Sequence, residues 1–300
     1  MPGKDGMMRR ATGAIGRRLA AAILGTGALG GLSARAARAC SGVDCRFLVY
    51  YGQDEAAPVG DYDVAVLDAE APAALLARRA PGARLLGYVS MGEVHASRAY
   101  FTEAEAGGIL LGRNPNWPDA WFVDMRAPLW GRLVLDRIVP AALARGFDGV
   151  FLDTIDDAEF LEQRDPRRHA GMIDAAAGLV RRMRRRFPTA GIMVNRGYAV
   201  LPSIVGQFDM LLGESVRTTH EADGTTYRRL PEHDYAWQRD AMWEARRRFP
   251  SLRLFSLDYW DPADRDGIAR IYAEQRRNGF VPYVATPDLT RIVPPPREAS

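Results

Sequence analysis

The chain has 300 residues, 47% of them hydrophobic and 26% charged, with a formal net charge of +3. That composition is ordinary for a globular protein and leaves enough apolar chain for a large core. Lys4 is the one lysine. This excludes Schiff-base aldolases, pyridoxal-phosphate enzymes and P-loop NTPases, since each relies on a lysine amine or ammonium.

The positive charge sits at the N-terminus. Residues 1–39 hold seven basic residues and one acid, Asp5, which leaves about −3 for the rest of the chain. Arg9-Arg10 and Arg17-Arg18 precede a weakly apolar stretch at 19–32, and small residues follow as far as Ala37-Arg38-Ala39. A basic start, an apolar middle and an A-x-A site describe an export signal. Residues 1–39 are therefore expected to be a leader, and the protein periplasmic or extracellular. The arginine pairs fit the twin-arginine route. The apolar stretch is too short for a stable membrane span. Export would allow a disulfide between Cys40 and Cys45, the two cysteines. The alternative is a lipid on Cys40, for which the preceding Ala-Arg-Ala is a poor signal. With the leader set aside, no basic stripe remains for nucleic acid. The run Arg181 to Arg186 closes a helical pattern, where cations suit the helix C-terminus.

From residue 46 onward, β-prone runs alternate with helical patterns. Strands are predicted at 47–52 and 64–68, a helix at 71–80 and a strand at 84–90. A further run at 121–126 reads as an extra strand or turn in a long loop. A helix at 128–145 and a strand at 149–154 come next, then a helix at 169–187 and strands at 191–197 and 210–216. The chain continues with a helix at 232–249, a strand at 253–260, a helix at 262–278 and a strand at 281–286. Most of the eight main runs are continuously apolar, as strands buried on both faces are. Alternating strands and helices imply parallel pairing through right-handed crossovers. Eight such strands close into a single-domain α/β fold, a (β/α)₈ TIM barrel, expected over 40–292 with a Pro-rich tail at 293–300. An open doubly wound sheet would bring a Gly-rich phosphate turn after the first strand, and Tyr51-Gly52-Gln53-Asp54 is no such turn.

The strand ends carry the chemistry. They read Tyr50-Tyr51, Asp68, Ser90 leading to Glu93, Asp153-Thr154, Asn195-Arg196, Glu214 and Asp258-Tyr259-Trp260. In a barrel these side chains converge on one mouth. Taken singly, each acid also fits a helix cap or an arginine partner. Asp153 and Glu214 end the fourth and sixth strands, and alternate strands supply the same layer of side chains. Two facing carboxylates are the equipment for breaking a glycosidic bond. A separation of about 5–5.5 Å suits retention and about 6.5–9.5 Å suits inversion. Aromatic rings near these positions offer faces for sugar stacking, and Trp260 is the one expected to do so. The histidines, at 95, 169, 220 and 233, have no metal-ligand spacing. Neither a metal nor a cofactor is expected, and no serine nucleophile elbow is present. A non-catalytic carbohydrate-binding barrel is the alternative to a hydrolase. A lyase acting on a sugar acid would want a lysine, a histidine or a metal.

Longer motifs add a family resemblance. Tyr50-Tyr51-Gly52, the segment from Asp61 to Asp68 and Gly87-Tyr88-Val89-Ser90-Met91-Gly92-Glu93 come in that order. Asn116-Trp117-Pro118, the segment from Trp121 to Arg126 and Gly146-Phe147-Asp148-Gly149-Val150-Phe151-Leu152-Asp153-Thr154 come after them. The series is similar to glycoside hydrolase family 114, the endo-α-1,4-polygalactosaminidase family, over roughly residues 47–290. The resemblance implies a retaining barrel hydrolase of α-1,4-linked galactosamine-rich polysaccharide. It implies Asp153 as nucleophile and Glu214 as acid/base. Asp68, Glu93, Asp124 and Asp258 would be pocket residues, joined from the strand-end reading by Tyr51, Asn195, Tyr259 and Trp260 as substrate contacts. A monomer is expected.

Overall fold

The computed structural model describes residues 42–296. The expected leader lies outside the described residues, as does Cys40. Cys45 is disulfide-bonded.

All eight expected strands form. They are β1 (Phe47–Tyr50), β2 (Val64–Leu67), β3 (Arg84–Ser90), β4 (Gly149–Asp153), β5 (Gly191–Asn195), β6 (Met210–Glu214), β7 (Arg253–Tyr259) and β8 (Val281–Ala285). Neighbours in sequence are neighbours in one sheet, and every pairing is parallel. β1 lies against β8. Beyond their ends, Tyr51 N–H donates to the Leu289 carbonyl at 2.8 Å. The sheet thus curls into a nearly closed (β/α)₈ barrel, a single domain.

Apolar residues fill both faces of the wall. Phe47, Phe255 and Tyr283 meet inside, with ring centroids 4.8 and 6.3 Å apart. β4 and β5 approach most closely where Gly149 pairs with Gly191. A Cβ on Gly149 would run into the Gly191 carbonyl, so this contact requires glycine.

The five expected helices form at Ala73–Ala77, 128–144, Met172–Arg186, Glu232–Arg248 and Arg265–Arg277. The second contains a π segment, Leu133–Ile138. Besides short helices such as Phe101–Ala106 and Asp157–Arg164, two small sheets extend beyond the predicted elements. A three-stranded antiparallel sheet of Glu93–His95, Leu110–Asn114 and Trp117–Val123 sits between β3 and the next long helix. The run expected at 121–126 is the end of its central strand. A hairpin of Thr218–His220 and Tyr227–Arg229 comes after β6. These strands are short, and several are largely polar, so the apolar pattern of the barrel strands does not mark them.

The start of the Pro-rich tail is docked. Val293 is buried with Ile268, Ile271, Tyr272 and Val284. Arg265 donates to the carbonyls of Pro294 and Pro295 at 2.9 and 3.1 Å. Among the described residues, no helix is long and apolar enough to cross a membrane.

Candidate active site

The C-terminal ends of the strands surround a cleft of about 550 Å³. Alternation along each strand decides which residues reach it. Phe151 and Asp153 on β4 face the cleft, as do Tyr88 and Ser90 on β3, and Leu257 and Tyr259 on β7. Asn195 ends β5 and Glu214 ends β6, and both line the same space.

Asn195 links the two acids. Its Nδ2 donates to Asp153 Oδ1 at 2.8 Å and to Glu214 Oε2 at 2.7 Å. Both bonds start from one nitrogen, so those oxygens lie at most about 5.5 Å apart. Glu214 Oε1 accepts a second bond from the Tyr259 hydroxyl at 2.7 Å. The Tyr88 hydroxyl is hydrogen-bonded to Asp153. Tyr51 stacks edge-on against Tyr88, with centroids 5.3 Å apart. Burial raises all three phenols well above their ordinary range. The negative charges of Asp153 and Glu214 push in the same direction. The three hydroxyls therefore stay protonated near neutral pH, and those of Tyr88 and Tyr259 serve as donors to the carboxylates.

The backbone turns sharply behind the site. Thr154, Arg196 and Ser215 come directly after Asp153, Asn195 and Glu214, and have φ of 57°, 53° and 51°. Left-handed backbone is uncommon outside glycine and clusters at functional sites. The Thr154 hydroxyl accepts from the N–H groups of Met91 and Gly92 at 3.1 and 2.9 Å and lies 2.8 Å from Ser90 Oγ. The end of β4 is thereby tied to the loop after β3. The Arg196 guanidinium lies 3.7 Å from Asp156, within the field of both site acids, and these charges hold its pKa up against burial.

The other expected residues divide. Tyr51, Asp68 and Glu93 line the cleft. Asp68 does so while held by Arg98 at 2.7 Å. Three do not reach it. Asp258 alternates with Leu257 and Tyr259, so it points out of the barrel and is fully buried. There it accepts from the N–H groups of Arg217 and Thr218 at 2.6 and 2.8 Å and from Gln275 at 2.8 Å. Burial pushes its carboxyl up to about 6. Asp124 is paired with Arg126 at 2.8 Å outside the cleft. Trp260 donates to Asp264 at 2.9 Å and packs on the cluster around Val293. The exposed ring on the cleft belongs instead to Trp117. Tyr88, Thr154, Arg98 and Asn114 complete the arrangement. Tyr88 and Thr154 lie within the strand-end motifs, whereas nothing in the local sequence marks Arg98 or Asn114.

The glycoside-hydrolase family GH114 model matches residues 32–299. The chain belongs to glycoside-hydrolase family GH114. It is a glycoside hydrolase. The chain resembles the glycoside hydrolase domain of PelA from Pseudomonas aeruginosa, at 27% identity and a TM-score of 0.71. That match covers 82% of this chain and 96% of the PelA domain. Ega3 of Aspergillus fumigatus, solved in complex with galactosamine, shares the fold at 13% identity and a TM-score of 0.58. Its match covers 85% of this chain and 96% of Ega3. An uncharacterized protein of Deinococcus radiodurans is 26% identical over 234 residues, which is 74% of this chain and 70% of that one.

Proposed function

We propose that this GH114 protein is a retaining hydrolase of α-1,4-linked, galactosamine-rich polysaccharide, exported by its N-terminal segment. The observation that carries the stereochemical reading is the Asn195 bridge. Oxygens at most about 5.5 Å apart fit the retaining separation.

In this reading, Asp153 attacks the anomeric carbon while Glu214 protonates the departing glycosidic oxygen. The C–O bond breaks as the bond to Asp153 forms. Glu214, now ionised, takes a proton from water, and that water displaces Asp153 with a second inversion. Asn195 and Tyr259 hold Glu214 in place for both steps, and Tyr88 does the same for Asp153. Galactosamine as the sugar is supported by the family and by the ligand of the Ega3 complex.

The test is reducing-end release from de-N-acetylated and N-acetylated polygalactosamine by the purified protein, beside Asp153→Asn and Glu214→Gln. Both variants should lose at least about a thousandfold in kcat. NMR of the first product should show the α-anomer. The β-anomer appearing first would refute retention, and full activity in either variant would refute its assigned role.

A further inference from the structure

Six carboxylates line the cleft, and five of them have a proposed catalytic task, an arginine, or a donor on each oxygen. Asp153 and Glu214 are the proposed catalytic pair. Asp68 and Glu70 share Arg98, at 2.7 and 3.2 Å. Asp288 accepts from the hydroxyls of Thr286 and Thr290. The sixth is Glu93.

Glu93 is 6% exposed. Asn114 Nδ2 donates to Glu93 Oε1 at 2.5 Å. Oε2 has no hydrogen-bond partner among the described residues, and no described arginine or histidine lies within ion-pair distance of the carboxylate. Its one protein donor is thus a neutral amide. The group is nonetheless fixed in place. Its strand pairs with Trp117–Val123, and its N–H donates to Ser90 Oγ at 3.2 Å. Ser90 in turn meets Thr154, the residue after Asp153. The same inserted sheet carries Trp117, whose ring is 58% exposed and borders the cleft.

We infer that Glu93 is the specificity residue for an unacetylated amino sugar, its carboxylate receiving the sugar's ammonium while Trp117 offers a face to the ring beside it. This rests on the galactosaminidase reading and adds the state of the nitrogen to it. A ligand ammonium supplies the counter-ion that the protein does not. An acetamido group brings no charge to meet the carboxylate.

The experiment compares kcat/KM on short de-N-acetylated and N-acetylated galactosamine oligomers for the full protein, Glu93→Gln and Glu93→Asp. Glutamine keeps an oxygen for Asn114 and removes only the charge. The ratio of the two kcat/KM values should favour the unacetylated oligomer in the native protein and fall at least about tenfold in Glu93→Gln. Glu93→Asp should recover part of it. Calorimetric binding of the same oligomers to Glu214→Gln, with and without Glu93→Gln, gives a second readout independent of turnover. An unchanged ratio together with unchanged binding would overturn the inference while leaving the hydrolase reading intact. A protein that neither cleaves nor binds any galactosamine oligomer would overturn both.

Discussion

Asn195 spends both amide hydrogens on the two acids, so it has no donor left for substrate. Its Oδ1 is buried without a partner. The residue reads as a spacer between carboxylates, a different task from the substrate contact expected of it in sequence. Asn195→Ala should lower kcat by about a hundredfold with a smaller change in KM, because it removes positioning and leaves binding groups in place. A change confined to KM would instead mark it as a substrate contact. Tyr259→Phe removes one of the two donors to Glu214 and should lower kcat about tenfold. Steady-state kinetics on the same oligomer measures both. The strand-end acids are legible because a polar residue closing an apolar run is conspicuous. Asp258 departs from its expected place for a reason also written in the sequence. It stands next to Tyr259, and adjacent strand residues face opposite ways.

Elements are joined to one another by buried polar groups that periodicity does not register. Asp258 ties β7 to the chain after β6 and to the helix Arg265–Arg277. Its carboxyl is pushed up to about 6 by burial, while an unfolded aspartate titrates near about 3.9. The native state therefore holds this proton more tightly than the unfolded chain. The contribution of Asp258 to stability is greatest below about pH 4 and is lost as pH rises through about 6, by about 3 kcal/mol. Chemical unfolding near pH 4.5 and near pH 7.5 should show about 2 kcal/mol of this loss in the native protein and not in Asp258→Asn. Equal pH dependence in the two would refute it. At the other side of the site, Thr154→Val would strand the N–H of Gly92, while the N–H of Met91 keeps the Asp153 carbonyl at 2.9 Å. It should cost about 1–3 kcal/mol in the same assay. The inserted sheet and the hairpin after β6 are not legible, since short polar strands lack the apolar run that announces the barrel.

Over the whole molecule, the repeating strand–helix order is enough for the barrel, because eight buried runs in parallel have few ways to close. The place of Trp117 on the pocket wall is not legible in this way, because it comes from an insertion whose position depends on tertiary pairing, and Glu93 of the same insertion is legible only through its motif. The cleft has six acids against Arg98, Arg137 and Arg145. A cationic polymer should be drawn to it, so kcat/KM on de-N-acetylated polygalactosamine should fall as salt rises from about 50 to 500 mM. The acetylated polymer should respond far less. Equal salt dependence for the two would show that charge does not guide capture.

The three left-handed residues at 154, 196 and 215 have a consequence for how such an enzyme changes over time. Each ends its strand abruptly, one residue past a side chain that matters. The loop after each turn is therefore mechanically separate from the strand before it. Beyond Thr218, which Asp258 anchors, the hairpin after Ser215 can lengthen, shorten or be exchanged while Glu214 stays held by Asn195 and Tyr259, much as a tool head is swapped on a fixed handle. New polymer preferences would then arise by grafting loops behind these turns, with the reacting atoms left where they were.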